Sequence, residues 1–281
     1  MPTNPCAERW SQSAPAKLTR TLRVVGRRAD GYHLLEAEMV SLDLADEIHL
    51  MALGEDDRED ASVEVLDAVR WCGAPGPTPD EAIAVVPSGP SNLVSKALAL
   101  VGRRAAVSLV KHIPAGAGLG GGSSDAAAIL RWAGNDDPLS AASLGADVPF
   151  CVHGGRALVR GIGEVLEPLE FEETGFVVCT PPLAVATSLV YQAFDELGAR
   201  EATGPNDLEA AAICVAPELA WWRALVADAT ASVPVLAGSG ASWFVECTAA
   251  RAELAAGALV EAVAAEGRRA VVEACRAVAA Y

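Results

Sequence analysis

The sequence predicts a mixed α+β protein with two lobes, and three observations support this. Residues 14–50 have a strand, turn, strand pattern. A strand, a glycine-rich loop and an alanine-rich helix follow in the middle of the chain, and beyond about residue 180 the pattern is mainly helical. β-Rich runs bounded by turn residues indicate strands, whereas apolar residues three or four apart indicate helices. The lobes are predicted at residues 1–156 and 157–281.

At the N-terminus, residues 1–17 lack the apolar segment of a signal peptide and are expected to form a loose leader. The run AKLTRTLRVVG predicts a strand, and Asp30 with Gly31 predicts the turn before a second strand, LLEAEMVSLDL. The acidic stretch GEDDRED at residues 54–60 is expected to be a solvated hairpin tip, followed by a short strand.

Further along the chain, helices and strands alternate. A helix is predicted over residues 91–104 with Ser91 or Asn92 as its N-cap, and another over residues 123–134 that ends at Gly134. A short helix and a loop are expected over residues 136–150. The remaining predicted strands are 105–113, 157–169 and 175–182, with a strand, turn and strand over 233–247. The remaining predicted helices are 188–198, 206–215, 218–228 and 249–267, and residues 268–281 form a strand or a helix.

Composition excludes several classes of function. The chain has 281 residues, of which 52% are hydrophobic, and a net charge of −16 from 21 basic and 37 acidic residues. Such a charge repels nucleic acid and anionic membranes, so neither is expected as a partner. The chain has no uninterrupted apolar run long enough to cross a bilayer. Seven dispersed cysteines without a CxxC pair fit reduced thiols, so a cytoplasmic location is expected.

The most informative stretch is PAGAGLGGG, residues 114–122, which we call the glycine loop. It is not a P-loop, because no lysine follows the glycines. Gly116, Gly118 and Gly121 match the dinucleotide-binding spacing, but the acidic strand end which that fold requires is absent. The partner motifs of a protein kinase are also missing. A flexible linker is disfavoured, because the loop joins a strand directly to a helix.

A loop of this kind exposes backbone N–H groups at the N-terminus of a helix, where they favour phosphate oxygens. Glycine is needed there because side chains would keep the phosphates away from the backbone. Ser123 and Ser124 follow and add hydroxyl groups that can reach a phosphate or its metal ion.

PAGAGLGGGSSDAAA resembles the second motif of the GHMP kinases, which phosphorylate small molecules. The segments APAKLTRTLRVVGRRADGYHLLEAEMVSLDL, SNLVSKAL, LGADVPFCVHGG, NDLE and AGSGASWFV resemble, in this order, the branch that acts on 4-diphosphocytidyl-2-C-methyl-D-erythritol. The resemblance implies an N-terminal lobe like domain 2 of ribosomal protein S5 and a ferredoxin-like C-terminal lobe. It also implies phosphorylation of the substrate 2-hydroxyl by ATP with Mg²⁺, on the route to isoprenoids.

The resemblance implies roles for two catalytic residues. Asp147 takes the position of the base that accepts the proton of the hydroxyl. The alternative for Asp147 is a residue that caps the turn before Pro149. Lys17 takes the second catalytic position, where its charge would keep Asp147 ionised. The alternative for Lys17 is a lysine that protects a strand edge.

For the nucleotide, the resemblance implies binding by Asn92, by Lys111, whose stem would pack on adenine, and by residues of the glycine loop and the start of the following helix. These last are Pro114, Ala115, Gly116, Ala117, Gly118, Leu119, Gly120, Gly121, Gly122, Ser123 and Ser124. Lys96 is expected on a solvated helix face. Residues 238–240 resemble the third motif, which lies near the phosphates. No side chain is assigned to the metal, for which Ser124 is only a candidate.

The acceptor is expected to be a small molecule with a cytidine diphosphate group. Tyr32 and His33 match the cytidine site, and Tyr191 takes the place of a second aromatic residue, although a tyrosine in the core is equally compatible. Two rings can enclose cytosine while His33 bonds to its edge.

Because the chain is acidic, Arg20, Arg27 or Arg28 would have to neutralise the diphosphate of the acceptor locally. Thr19 stands where the family has asparagine. Two alternatives stay open: another small-molecule kinase of the superfamily, or a catalytically silent nucleotide-binding protein of the same fold. The oligomeric state cannot be read from the sequence.

Overall fold

The computed structural model describes residues 9–54, 61–73 and 86–281. Within these ranges the strands are β1 Arg9–Arg27, β2 His33–Leu53, β3 Ser62–Asp67, β4 Cys72–Gly73, β5 Arg104–Lys111, β6 Arg156–Gly161, β7 Val165–Pro168, β8 Gly175–Thr180, β9 Val235–Leu236, β10 Trp243–Cys247 and β11 Arg269–Val278. The helices are α1 Leu93–Leu100, α2 Gly121–Ala133, α3 Pro138–Leu144, α4 Val148–His153, α5 Thr187–Glu196, α6 Glu209–Val215, α7 Glu218–Thr230 and α8 Ala249–Ala265. The mixed α+β class is therefore confirmed.

Strands β1 and β2 form a long antiparallel hairpin, as predicted, with Gly31 at φ 93° in its turn. The expected leader is wrong for residues 9–17, because β1 already begins at Arg9, which pairs with Met51. Trp10 packs against the hydrophobic core, which explains why this polar stretch is ordered into the sheet. Residues 1–8 and the acidic residues 55–60 lie outside the described part of the chain.

The strands join in the order β3-β5-β2-β11-β8-β10-β9. Strand β2 is long enough to pair with β6 near its start and with β5 near its end. Only the β3–β5 pairing is parallel among the described strand pairs. Strand β11 pairs with β8 and then, through Ala277 and Val278, with β2, so it connects the strands of both halves of the chain.

The helices follow the sequence signals closely. Asn92 is the N-cap of α1, and Gly134 ends α2 in the left-handed conformation at φ 69°. Residues 136–150 contain the short helix α3 and a connection at 145–147, as predicted, but the last three residues already belong to α4, which begins at Val148 and is anchored by the buried Phe150. Residues 269–278 form a strand, which resolves the open alternative at the C-terminus.

Three hydrophobic clusters support two lobes. The first contains residues from Ala14 to Val159, and the second consists of Leu22 and residues from Val177 to Ala270. The third combines both halves, with Leu18 and Leu119 beside Phe176. The division at residues 156 and 157 stays a prediction. Strand β6 begins at this division and pairs with β2 and β7. We therefore propose a boundary after Pro168, which keeps β6 and β7 in the same lobe as β2.

Among the helices of the described residues, none combines the length and hydrophobicity that a bilayer crossing requires. The six cysteines within the described ranges are free thiols.

Candidate active site

The glycine loop begins three residues after β5, and its last two glycines open α2. The backbone N–H of Lys17 donates to Leu119 O at 2.9 Å, and the N–H of Ser242 donates to Ala117 O at 3.2 Å. The loop is therefore held between β1 and the turn at residues 237–242, which we call the Gly238 turn. The first N–H groups of α2 have no partner within the helix and face outwards from its N-terminus.

Glycine is required in this loop because the backbone approaches other parts of the protein closely. Gly118 has φ 78°, and a Cβ atom there would lie 2.4 Å from Ala237 O. Gly120 has φ 67°, and a Cβ atom there would lie 2.6 Å from Cγ of Lys17. The glycines thus do more than admit phosphate, since two of them make room for the Gly238 turn and for Lys17.

We expect Gly118→Ala to lower the free energy of unfolding by about 2–3 kcal/mol, because strain in the left-handed conformation adds to the clash with a carbonyl oxygen. The matched control is Gly122→Ala, where a Cβ atom would make ordinary contact with Leu93 at 3.6 Å. Alanine inside a helix is favoured over glycine by about 0.5–1 kcal/mol, so this control should be slightly stabilised. Urea denaturation without nucleotide compares the two, and equal stability would contradict the steric requirement.

A cavity of about 400 Å³ lies between the glycine loop and the start of α1. Most of the residues predicted to bind ATP line it: Asn92, Lys111, Pro114, Ala115, Gly116, Ala117, Gly118, Gly120, Gly121, Gly122 and Ser123. Two do not. Leu119 is buried in the third hydrophobic cluster, and Ser124 is fully buried within α2. The structure therefore brings together nearly all of this predicted set, with a volume appropriate for a small ligand.

Asn92 is engaged in local structure while it lines the cavity. Its Oδ1 accepts from Val94 N at 2.8 Å, and its Nδ2 donates to Pro87 O at 2.6 Å. Its polar atoms thus order the segment that enters α1. Lys96 is exposed on α1, as predicted.

Lys111 is buried beneath the glycine loop between two carboxylates. Its Nζ donates to Asp46 and, at 2.7 Å, to Asp125. Asp46 also accepts from the backbone N–H groups of His112 at 2.6 Å and Ile113 at 2.8 Å. This ion triad, Asp46–Lys111–Asp125, fixes the start of the loop relative to α2. Packing of the Lys111 stem on adenine stays a prediction.

One ammonium cannot neutralise two buried carboxylates. Burial therefore raises the pKa of Asp125 to about 7; Lys111 opposes this shift, and Asp46 adds to it. At pH values between the usual aspartate pKa, near 4, and this raised pKa, Asp125 holds a proton in the folded protein that it lacks in the unfolded chain. The contribution of Asp125 to the free energy of unfolding therefore falls as pH rises through this window, and it is constant above it.

We expect the free energy of unfolding of the wild type, minus that of Asp125→Asn, to fall by about 1 kcal/mol per pH unit between pH 5 and 7. The control is Asp137→Asn. Hydrogen bonds from Ser140 lower the pKa of Asp137, so that carboxylate titrates below this window. The difference in free energy of unfolding between the wild type and Asp137→Asn should therefore be constant from pH 5 to 7. Urea denaturation at several pH values gives both curves. A constant difference for Asp125→Asn would show that Asp125 is ionised throughout.

Lys17 and Asp147 form the ion pair at the centre of the site. Lys17 Nζ lies 3.3 Å from Asp147 Oδ2 and donates to Thr19 Oγ1 at 3.2 Å. Lys17 is only 5% exposed, whereas the Asp147 side chain keeps 30% of its surface exposed and can meet a ligand. Asp147 precedes α4 without a side-chain capping bond, so the alternative of a capping aspartate is not supported.

The Gly238 turn completes the surroundings of Lys17. A Cβ atom at Gly238 would lie 3.4 Å from Lys17 Nζ. Buried Asn206 holds this turn, because its Nδ2 donates to Leu236 O at 2.8 Å and to Gly238 O at 2.7 Å. The sequence analysis missed this role of Asn206. Asn206 is the first residue of the NDLE segment, but that resemblance does not indicate that its side chain binds the Gly238 turn.

His33 and Tyr191 meet beside this ion pair. Their rings stack with centroids 4.8 Å apart and an interplanar angle of 21°. Burial and, to a smaller extent, the charge of Asp147 raise the pKa of Tyr191, so this ring lies within electrostatic reach of the ion pair. Tyr32 is 62% exposed on the hairpin turn. The structure thus joins two of the three residues predicted for the cytidine site, His33 and Tyr191, and Tyr32 precedes His33 in the chain.

The predicted arginines already have acidic partners. Arg20 pairs with Glu38 at 2.7 Å and with Glu246 at 2.7 Å, and it also contacts Glu172. The expectation that Arg20 offers free positive charge to a diphosphate is therefore wrong. Arg27 pairs with Asp195 at 3.1 Å and Arg28 with Asp30 at 2.7 Å, both near the hairpin turn.

Comparison with known proteins agrees with this geometry. Residues 92–155 match the family model of the GHMP kinases N terminal domain. The 4-diphosphocytidyl-2-C-methyl-D-erythritol kinase of Paracoccus denitrificans is 35% identical over 87% of this chain and 91% of its own length. The kinase of the same name from Dinoroseobacter shibae is 36% identical over 82% and 83%, respectively.

Solved structures give the same result. A crystal structure of 4-(cytidine 5'-diphospho)-2C-methyl-D-erythritol kinase superposes with a TM-score of 0.68 at 31% identity, over 96% of this chain and 100% of that one. Homoserine kinase from Cytophaga hutchinsonii shares the fold, with a TM-score of 0.57 at 16% identity over 96% and 95% of the two chains. The chain belongs to the 4-diphosphocytidyl-2-C-methyl-D-erythritol kinase family of the GHMP kinases.

Proposed function

We propose that this protein transfers the γ-phosphoryl group of ATP to the 2-hydroxyl of 4-diphosphocytidyl-2-C-methyl-D-erythritol, in the methylerythritol phosphate route to isoprenoids. The Lys17–Asp147 pair carries the proposal. Lys17 packs against Gly120 of the glycine loop, and the charge of its partner Asp147 acts on Tyr191, which stacks on His33. A phosphate donor and a base-containing acceptor would thus meet at this pair.

For ATP, the cavity beside the glycine loop supplies the binding surface. The N–H groups at the start of α2 would receive the phosphates, and the positive end of the helix dipole would favour their charge. Leu93 and Ile113 in the cavity wall would contact the adenine. The stem of Lys111 also lines this wall, while its ammonium holds the ion triad.

Mg²⁺ neutralises the phosphate charge of ATP in such reactions and is held largely by phosphate oxygens and water. Among the described residues, no group of three or more histidine, cysteine or acidic side chains is suited to hold a metal ion. Ser124 is the candidate protein contact, because its buried Oγ has no hydrogen-bond partner among the described residues, although its side chain does not line the cavity.

In the transfer step, the acceptor oxygen forms a bond to the γ-phosphorus, and the bond from that phosphorus to the β,γ-bridging oxygen breaks, which releases ADP. Asp147 accepts the proton of the hydroxyl as the new bond forms. Lys17 stabilises the negative charge that develops on the oxygens, and its contact with Thr19 holds the ammonium in place.

For the acceptor, Tyr32, His33 and Tyr191 would bind the cytosine. His33 already stacks on Tyr191, so the base would contact this pair from its open side, with the exposed Tyr32 as the second ring. We further propose a cytoplasmic location, which the free thiols of the described cysteines support.

ADP release from the purified protein, measured with a panel of acceptors, tests the proposal. We expect turnover with the cytidine-linked substrate, and none with methylerythritol or its 4-phosphate. Faster turnover of homoserine or mevalonate would favour another kinase of the superfamily. The absence of turnover with every acceptor would favour a silent nucleotide-binding protein.

A further inference from the structure

Asp195 on α5 contacts the His33 ring through a hydrogen bond. Its Oδ1 lies 2.8 Å from His33 Nε2, and its Oδ2 lies 3.1 Å from Arg27 Nη1. Tyr191 covers one face of the imidazole, and Phe194 meets it edge-on at 6.2 Å. The His33 side chain is 10% exposed. Three residues of one helix therefore fix both the position and the hydrogen bonding of this ring.

A neutral imidazole has one donor nitrogen and one acceptor nitrogen. Carboxylate oxygens only accept, so the contact with Asp195 requires the proton to be on Nε2 and leaves Nδ1 as the acceptor. Cytosine has an exocyclic amino group, which donates, where uracil has a carbonyl oxygen, which accepts. An acceptor at Nδ1 can bind the amino group of cytosine, whereas it repels the carbonyl oxygen of uracil.

We infer that Asp195 is a positioning residue that sets the tautomer of His33 and thereby makes the acceptor site selective for cytosine over uracil. This inference rests on the proposed function, since it concerns the base of the proposed acceptor. Arg27 has a defined part in it: its ion pair with Oδ2 keeps the other carboxylate oxygen oriented towards His33.

The Arg27 contact makes the effect of Asp195→Asn predictable. A guanidinium only donates, so the amide oxygen of asparagine would face Arg27 and its NH₂ group would face His33. Nε2 must then accept, and the proton moves to Nδ1, which becomes a donor. The variant should therefore favour uracil relative to the wild type.

The experiment measures kcat/KM with the cytidine-linked acceptor and with its uridine analogue. We expect the cytidine preference to fall by about 10- to 100-fold in Asp195→Asn. The reason is that Nδ1 of His33 would no longer accept from the amino group of cytosine, and two donors would face each other instead. The matched control is Glu196→Gln on the same helix, where Glu196 is exposed and accepts from Gln192 at 2.9 Å. This control should keep the wild-type preference. An unchanged preference in Asp195→Asn would overturn the inference.

Nitrogen-15 NMR of the histidines, with the His33 signals assigned by comparison with His33→Gln, gives a second readout that needs no activity. We expect protonated Nε2 in the wild type and protonated Nδ1 in Asp195→Asn. Protonated Nδ1 in the wild type would overturn the inference even if the variant did not fold. A wild type that is inactive on the cytidine-linked acceptor would instead contradict the proposed function and leave the tautomer result standing.

Discussion

Replacing Asp147 by asparagine is expected to lower turnover by about 10²–10⁴-fold, the usual contribution of a general base. Asparagine keeps the size of the side chain but cannot accept the proton of the hydroxyl. Fold and nucleotide binding should persist, because Asp147 makes no capping bond and keeps 30% of its side chain exposed.

Steady-state kinetics and calorimetric titration with a non-hydrolysable ATP analogue would measure the two properties separately. Asp136→Asn is the matched control, since Asp136 is an exposed aspartate that is not among the residues assigned to the site. Turnover within about threefold of the wild type in Asp147→Asn would remove Asp147 from the proton transfer.

Replacing Lys17 by methionine should lower turnover by about 10²–10³-fold, the scale for removing one group that stabilises charge in the transition state. Methionine approximates the stem of lysine, so the packing of this 5% exposed residue against Gly120 is largely kept. The affinity for ATP should change much less, because the charge of Lys17 acts on the reacting oxygens and on Asp147.

Lys96→Met provides the control for Lys17→Met, because Lys96 is an exposed lysine on α1. If Lys17→Met lost ATP affinity as strongly as turnover, Lys17 would belong to the nucleotide site instead of the reacting centre.

Local signals explain which parts of the molecule could be predicted. The glycine loop, the Asn92 cap and the Gly134 stop each depend on a few neighbouring residues, and the structure confirms their geometry. The first part of β1 was missed because its polar sequence becomes a strand only through pairing with residues 45–51 of β2. The turn at Gly31, in contrast, was evident from Asp30 and Gly31 alone.

Long-range partners explain what could not be predicted. Lys111 is bound by Asp46, which lies 65 residues earlier, and nothing near either residue indicates the other. Asn206 reaches Gly238 across 32 residues, and Asp195 reaches His33 across 162. Such pairs depend on how β2, α5 and the Gly238 turn are brought together, which sequence spacing does not encode. They hold the glycine loop, the Gly238 turn and His33, and in each pair the two partners lie far apart in the chain.

Phosphorus-31 NMR of the reaction products tests the central proposal most directly. After incubation with ATP, Mg²⁺ and 4-diphosphocytidyl-2-C-methyl-D-erythritol, the signals of the acceptor diphosphate should remain. A new phosphomonoester signal should appear, with coupling to the methyl-bearing carbon that carries the 2-hydroxyl, and it should be nearly absent with Asp147→Asn. A phosphomonoester on a different hydroxyl, or ATP consumption without any new phosphorylated acceptor, would contradict the proposed reaction.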